Sequence, residues 1–261
     1  MQPFIHVHDV QKRYDTSDGG VLAISKVSFD VAAGEFVTVV GPSGCGKSTL
    51  LKMMSGLIEP TAGELVIGGE GHEFRPGHDI GMVFQQPLLL KWRSIEDNLL
   101  LPVEFLGERR ESFRQRARAL LKLVGLDGFE GKYPYELSGG MQQRASICRA
   151  LIHSPKLLLM DEPFGALDAL TRERMNLELQ RVWMEERKTV IFITHDIQEA
   201  VFLADRVIVL TARPAEMAAA IDIELPRPRR LAMKTTPEFG AYCRRLYDLL
   251  GFQEEEAAES A

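Results

Sequence analysis

Alternation of apolar and polar residues in the first third of the chain predicts short strands separated by glycine turns. The runs 27–31 (VSFDV), 35–40 (EFVTVV), 63–69 (GELVIGG) and 80–85 (IGMVFQ) have the length and composition of strands. The stretch 47–56 (KSTLLKMMSG) predicts a helix between them. Strands and a helix in this order indicate the opening of an α/β fold.

The pattern changes to helical spacing in the middle of the chain. Helices are predicted at 94–106, 111–125 and 139–153. In the second of them, apolar residues recur three and four positions apart, at Phe113, Ala117, Leu120, Leu121 and Val124. We therefore expect an α-helical subdomain over residues 88–155.

Short apolar strands return after this subdomain, at 156–163, 188–196 and 205–211, with helices at 169–186 and 196–204 between them. This order is typical of a parallel sheet that is buried on both faces. The helical subdomain thus interrupts one α/β core.

The predicted core covers residues 1–87 and 156–225 of a single domain. Residues 226–252 are expected to form a C-terminal helical extension, with a helix over 237–251 (PEFGAYCRRLYDLLG). The acidic end 253–261 (QEEEAAESA) is expected to be a solvated, disordered tail.

Composition excludes several classes of function. The chain has 261 residues, 45% of them hydrophobic, which suits a soluble globular protein. A net charge of −6 disfavours a general nucleic-acid surface, because binding phosphates requires clustered Lys and Arg. Three cysteines without metal or redox spacing fit a reducing cytosol. No apolar run approaches the roughly 18 to 20 residues that span a bilayer, so we expect any membrane role to come through a partner.

The stretch GPSGCGKST carries the first chemical motif. Gly41, Gly46, Lys47 and Ser48 satisfy GxxxxGK[ST] between a predicted strand and a predicted helix. Glycines let backbone N–H groups surround phosphate oxygens, Lys47 would meet the β and γ phosphates, and Ser48 would bind Mg²⁺. The alternative is an ordinary glycine-rich turn.

The stretch LLLMDEP carries the second motif. Apolar residues lead to Asp161 at the end of a buried strand, where its carboxylate can hold Mg²⁺ through water. Glu162 follows as a candidate base for an attacking water. The alternative is an acidic turn ended by Pro163.

Taken in order, the motifs resemble those of the ATP-binding subunits of ABC transporters over nearly the whole chain. They are the phosphate loop at 41–49, Gln85 in VFQQP, the signature LSGGMQQR at 137–144, the Walker B strand LLLMDEP, GALD at 165–168 and His195 in ITHD. The resemblance implies an α/β fold: a P-loop NTPase core with a mostly parallel sheet, an antiparallel β-subdomain and an inserted α-helical subdomain. It also implies ATP and Mg²⁺ as cofactors.

In that family two subunits pair head to tail, and each ATP lies between one phosphate loop and the other subunit's signature. The resemblance therefore implies nucleotide contacts from Tyr14, Gly41, Pro42, Ser43, Gly44, Cys45, Gly46, Lys47, Ser48, Thr49, Ser138, Gly139, Gly140, Gln142 and Asp168. It implies Mg²⁺ contacts from Ser48, Gln85 and Asp161, and catalytic roles for Lys47, Gln85, Glu162 and His195.

Each of these positions also has a plainer interpretation. Tyr14, matched to the aromatic that stacks on adenine, could simply pack beside a strand. His195, matched to a contact of the γ-phosphate that also orients Glu162, could be structural, and Asp168, matched to an interface residue, could cap the helix that follows it. Cys45 is expected to be a small loop residue.

The implied partners are a second copy of the chain, membrane permease subunits and, indirectly, a periplasmic solute-binding protein, at the cytoplasmic face of the membrane. The stretches 87–105, 193–217 and 223–229 resemble importers of nitrate, sulfonates and taurine, although Lys91 stands where that class commonly has proline. One alternative is a soluble ABC-fold ATPase of DNA repair or chromosome organisation, but no heptad run or zinc module interrupts the core. Another, a nucleoside kinase, gives the signature no purpose.

Overall fold

The computed structural model describes residues 3–15, 19–68, 74–165 and 167–251. Within these ranges the strands are β1 Ile5–Tyr14, β2 Val21–Val31, β3 Phe36–Val40, β4 Ala62–Ile67, β5 Ile80–Val83, β6 Leu157–Asp161, β7 Thr189–Ile193, β8 Arg206–Leu210 and β9 Ala215–Asp222. The α-helices are α1 Lys47–Met54, α2 Pro76–Asp79, α3 Ile95–Leu99, α4 Leu101–Phe105, α5 Arg110–Leu123, α6 Gly139–Leu151, α7 Ala169–Glu186, α8 Ile197–Leu203 and α9 Pro237–Leu249. Short 3₁₀ helices form at Pro134–Glu136 and Leu231–Thr235.

These elements divide into two compact units. The first consists of Met1–Phe74 and Thr189–Ala261, and the second of Arg75–Lys188. The second unit contains the whole predicted helical range 88–155, together with β5, β6 and α7. The subdomain boundaries inferred from the sequence stay a prediction, and the acidic tail 253–261 lies outside the described residues.

The first unit contains a mixed sheet in the order β4-β1-β2-β9-β8-β3-β7. Strand β3 pairs in parallel with β7 and β8, so that Val39 lies opposite both Ile193 and Ile208. All five residues of β3 are buried, which explains why its sequence is a continuous apolar run and does not alternate. Strand β1 pairs antiparallel with β2 and β4, and β9 pairs antiparallel with β8.

Two strands of this sheet were not predicted. In β1 the two-residue alternation is interrupted, because the register shifts between Val7 and Val10 and Asp9 adopts a left-handed φ of 47°. The Asp9 N–H donates to Ser28 Oγ at 2.7 Å instead of continuing the ladder. Strand β9 (AEMAAAID) has few β-branched residues, so its sequence gives little strand signal.

The second unit places helices around the parallel pair β5 and β6. Helix α6 packs against β5, and a Cβ on Gly81 would come within 2.3 Å of the Ala150 carbonyl oxygen. Glycine at this position therefore permits the close approach of helix and strand. The helix predicted at 94–106 is in fact two, α3 and α4, because Pro102 in the first turn of α4 cannot donate the hydrogen bond that would continue α3.

No helix in the described part of the chain is both long and apolar enough to cross a membrane.

Candidate functional site

The phosphate loop of the first unit joins β3 to α1. Lys47 is 6% exposed, and its ammonium donates to the carbonyl oxygens of Gly41 at 2.8 Å and Pro42 at 2.9 Å. These loop carbonyls hold the cation inside the turn of the loop. The amine is therefore positioned by backbone geometry before any phosphate is added.

The N-terminus of α1, the helix that follows the loop, is suited to binding an anion. Gly46 is the N-cap of α1 with φ of 130°, a conformation that favours glycine, and a Cβ there would lie 3.1 Å from the Ala23 carbonyl oxygen. Because the N-cap is glycine, it has no side chain to cap α1, and the first turn of the helix contains no acidic residue. The positive end of the helix dipole is thus left for an external anion.

Other residues predicted to bind the nucleotide lie along the same loop. Ser43 and Ser48 are exposed, and Cys45 is buried, so Cys45 offers its backbone and not its thiol. Tyr14, 37% exposed, ends β1, and its hydroxyl lies 3.3 Å from Thr49 Oγ1. The tyrosine ring is therefore beside α1, as an adenine-stacking role requires.

His195 belongs to the same unit and faces the phosphate loop. It lines a cavity of about 340 Å³ together with Gly41, Pro42 and Ser43. The loop around it is rigidly held: Asp196 caps α8 by accepting from the N–H groups of Gln198 and Glu199. The structure thus brings His195 and the phosphate loop to one cavity.

The end of α9 lines this cavity as well, which the sequence analysis missed. Tyr247 and Leu250 are among its lining residues. Burial, with the charges of Cys243 and Asp196, raises the pKa of the Tyr247 phenol. The helix itself was predicted, but its position against a loop 200 residues earlier depends on tertiary packing, for which the sequence has no local signal.

The second unit holds the predicted carboxylates. Four buried residues of β6 lead to Asp161, and Glu162 follows with a left-handed φ of 45°. A non-glycine residue in this region of φ/ψ space is uncommon and costs energy. Gln85, just beyond β5, donates from Nε2 to Glu162 Oε2 at 3.3 Å. The structure therefore brings together two of the predicted catalytic residues.

The candidate Mg²⁺ donors are a hydroxyl (Ser48), a carboxylate (Asp161) and an amide oxygen (Gln85). Taken singly, each of these groups is a hard oxygen ligand of the type that Mg²⁺ prefers. No group of three His, Cys, Asp or Glu in the described ranges could hold a metal alone. Mg²⁺ commonly takes one or two protein ligands and completes its shell with phosphates and water.

The signature motif forms the N-terminus of α6. Ser138 is the N-cap, and its Oγ accepts from the Met141 N–H at 3.4 Å. Ser138 and Gly139 are exposed, and the first turn contains no acidic residue. This helix end resembles that of α1 in offering free backbone donors. Gln142 instead donates to the carbonyl oxygens of Pro134 and Leu137, which braces the preceding loop.

Asp168 caps α7, since its Oδ1 accepts from the Thr171 N–H at 3.0 Å. Its hydrogen bonds to Thr171 lower the pKa of its carboxyl. Asp168 therefore caps the helix that follows it, which was its plainer interpretation, and its side chain is exposed.

Comparisons with known proteins identify the family of the chain. The family model described as ABC transporter matches residues 24–165. A putative ATP-binding protein of Brucella abortus is 44% identical over 261 residues, covering 100% of this chain and 98% of that protein. The taurine import ATP-binding protein TauB of Rhizobium johnstonii is 49% identical over 207 residues, 79% of each chain. The aliphatic sulfonates import ATP-binding protein SsuB of Bacillus cereus is 40% identical over 225 residues, 86% of this chain and 88% of that one.

Solved structures support the same fold. The dimeric structure of a bacterial ABC transporter cassette aligns with a TM-score of 0.75 and 34% identity, covering 85% of this chain and 100% of that one. A post-hydrolysis dimer of that cassette, bound to ADP and Pi, aligns with a TM-score of 0.74 and 33% identity, at the same coverage. The predicted fold class is confirmed.

Proposed function

Because the chain belongs to the ABC transporter family and is one of its ATPases, we propose that it powers the import of a small solute through membrane permease subunits. The observation that carries the proposal is the pair of helix N-termini at Gly46 and Ser138. Each lies within a glycine-containing motif and has no acidic residue in its first turn. A nucleoside kinase needs only the first of them.

In the proposal, two copies of the chain pair head to tail around two ATP molecules. The phosphate loop of each copy binds the phosphates of one ATP. The N-terminal end of α6 in the other copy, formed by the exposed Ser138 and Gly139 and the half-buried Gly140, caps its γ-phosphate. Helix N-termini are favourable sites for anions, so the ATP itself supplies the attraction between the copies. The related cassette that was solved as a dimer supports this arrangement.

Hydrolysis is assigned to residues whose local geometry suits each role. Lys47 would bind the β and γ phosphates, Glu162 would accept a proton from the attacking water, and His195 would contact the γ-phosphate. Ser48, Gln85 and Asp161 would hold Mg²⁺, which neutralises charge on the phosphates when bound. Tyr14 would stack on the adenine.

The proposed solute is a nitrate-, sulfonate- or taurine-like anion. Relatives named as importers of taurine and of aliphatic sulfonates, at 49% and 40% identity, support this class. The solute would be chosen by the permease and by a periplasmic binding protein, which acts on this chain indirectly. The alternative in DNA repair or chromosome organisation finds no support in these relatives.

The permease is proposed to dock on the segment from Gln85 to Trp92 and the helices after it. Three large apolar side chains here face solvent: Leu88 is 55%, Trp92 75% and Phe105 83% exposed. Exposed apolar groups clustered in one segment commonly mark a protein interface. The chain would then work at the cytoplasmic face of the membrane as a peripheral subunit.

The test is reconstitution from membranes. The tagged chain is purified from detergent-solubilised membranes, the attached proteins are identified by mass spectrometry, and the complex is placed in vesicles. We expect a multi-span permease and ATP-driven uptake of taurine or methanesulfonate when the matching binding protein is added. Recovery of the chain with DNA-processing proteins and without a permease would contradict the proposal.

A further inference from the structure

A second cavity, within the Arg75–Lys188 unit, is lined by none of the residues assigned above to ATP. Its volume is about 330 Å³, and it lies between the C-terminal end of α5, Arg144 of α6 and the first turns of α7. Its charged lining residues are Lys122, Arg144, Arg174 and Glu178. We call it the arginine cavity.

The positive charges of the arginine cavity are not balanced. Among the described residues, no carboxylate forms an ion pair with Lys122, Arg144 or Arg174. The one acidic group of the lining, Glu178, already accepts from Arg181, at 2.8 Å from Nη2 and 3.1 Å from Nε. The cavity therefore combines three cations with one carboxylate that is engaged elsewhere.

Arg144 has an unused donor in this setting. Its Nη1 donates to the Val124 carbonyl oxygen at 2.6 Å, but its Nε is buried and has no hydrogen-bond partner. A buried donor without a partner costs free energy, unless a ligand or water satisfies it. Burial lowers the pKa of the Arg144 guanidinium, and the neighbouring charge of Arg174 lowers it further.

The helix end explains only part of this arrangement. Carbonyl groups at the C-terminus of α5 attract cations, which accounts for Lys122 and for the Nη1 bond of Arg144. They do not account for Arg174, which comes from α7 and adds a like charge beside Arg144. Two guanidinium groups that line one cavity and are not paired with its carboxylate form a typical recognition pattern for an oxyanion.

We propose that the arginine cavity binds a small oxyanion of the phosphate, sulfate or sulfonate class between Arg144 and Arg174. The planar guanidinium donates pairs of parallel hydrogen bonds to such oxygens, and Lys122 adds charge without fixed geometry. The volume of about 330 Å³ is at the small end of ligand sites, which range over roughly 300 to 1,000 Å³. This site is independent of the transport proposal, since it requires only the described side chains.

Calorimetric titration of the full chain tests the site. Inorganic phosphate, sulfate and methanesulfonate are titrated at constant ionic strength, with saturating MgADP to occupy the phosphate loop. Arg174→Gln removes one guanidinium, and Arg109→Gln is the matched control, because Arg109 is an exposed arginine of the same unit outside the cavity. Glu178→Gln removes a negative charge from the lining, so it changes the net charge of the cavity in the opposite direction to Arg174→Gln.

We expect the wild type and Arg109→Gln to bind at least one of these anions with equal affinity, and Arg174→Gln to bind it about tenfold more weakly, the worth of a hydrogen bond to a charged group. Glu178→Gln should bind more tightly than the wild type, because a negative charge is removed from the lining. Since MgADP is common to all four proteins, the phosphate loop cannot produce these differences. Equal binding by Arg174→Gln and the wild type, or no binding by the wild type at millimolar anion, would overturn the proposal.

Discussion

Gln85 and Glu162 are 77 residues apart in sequence, yet the amide Nε2 of one donates to Oε2 of the other at 3.3 Å. They meet because β5 and β6 are parallel neighbours, and each residue lies just beyond the carboxyl end of its strand. The left-handed φ of 45° at Glu162 sets the direction of its carboxylate after the strand ends. The hydrogen bond thus holds the proposed base at a fixed position.

The first prediction concerns this hydrogen bond. Gln85→Ala should slow ATP hydrolysis by about tenfold, the worth of one hydrogen bond to a charged group, while ATP affinity changes little. Gln86→Ala is the matched control, since Gln86 is an exposed neighbour for which no role in hydrolysis is proposed. Steady-state ATPase assays give both parameters. Unchanged turnover in Gln85→Ala would show that the contact does not position the base.

The second prediction concerns the phosphate loop. Lys47→Ala should abolish ATP binding or turnover, because it removes the ammonium that the carbonyls of Gly41 and Pro42 position. Lys52→Ala, at the exposed end of the same helix, should behave as the wild type. Fluorescent-nucleotide binding and phosphate release measure the two effects. Near-normal activity in Lys47→Ala would contradict the site.

The third prediction separates binding from chemistry at Tyr14. Tyr14→Ala should weaken nucleotide affinity by about 1 to 3 kcal/mol, with little change in turnover at saturating ATP, because stacking serves binding. Tyr14→Phe keeps the ring and loses only the hydroxyl near Thr49, so its affinity should stay close to that of the wild type. Lower turnover with unchanged affinity in Tyr14→Ala would indicate a packing role.

The fourth prediction concerns coupling to the permease. Trp92→Glu should reduce transport in reconstituted vesicles more than the ATPase activity of the isolated subunit, because Trp92 is 75% exposed and contributes little to the core. Leu57→Glu is the control: Leu57 is 61% exposed but lies outside the proposed docking segment. Equal loss of transport and of isolated ATPase activity in Trp92→Glu would show that Trp92 supports folding instead.

The sequence predicted most helices and the buried strands because those elements have strong local signals. The continuous apolar runs of β3 and β7 and the helical spacing in α5 are examples. The hydrophobic pattern did not predict two irregularities of these elements. The bulge at Asp9 shifts the apolar positions of β1, and Pro102 divides a stretch that otherwise has the composition of one helix.

The residues of the candidate site could be predicted only where they belong to a sequence motif. Motifs identified the phosphate loop and His195, which line one cavity, and Glu162, whose carboxylate accepts from Gln85. The contribution of Tyr247 to the His195 cavity and the like charges of Arg144 and Arg174 required the structure. Such contacts join elements far apart in the chain, so no spacing of residues signals them.

The central claim is that ATP joins the phosphate loop of one copy to the Ser138 end of α6 in another. Glu162→Gln should bind ATP but slow its hydrolysis by about 10² to 10⁴, the usual worth of a general base. Two ATP molecules would then stay trapped, and mass action would favour the dimer. Adding Ser138→Arg places a bulky side chain at the exposed helix end and should return the protein to a monomer.

Loss of the N-cap alone must be separated from the effect of bulk, because Ser138 also accepts the Met141 N–H. Ser138→Ala, in the same Glu162→Gln background, removes the cap at a cost of about 1 kcal/mol without adding volume. It should still allow dimers to form. Binding of fluorescent ATP to each variant confirms that its phosphate loop is intact.

Analytical ultracentrifugation of the three variants, with and without saturating MgATP, is the most direct test. We expect all three variants to be monomers without nucleotide. With ATP, Glu162→Gln and Glu162→Gln with Ser138→Ala should form dimers, and Glu162→Gln with Ser138→Arg should stay a monomer. A Glu162→Gln protein that stays monomeric in saturating ATP, or a Ser138→Arg double variant that still forms dimers, would contradict the account.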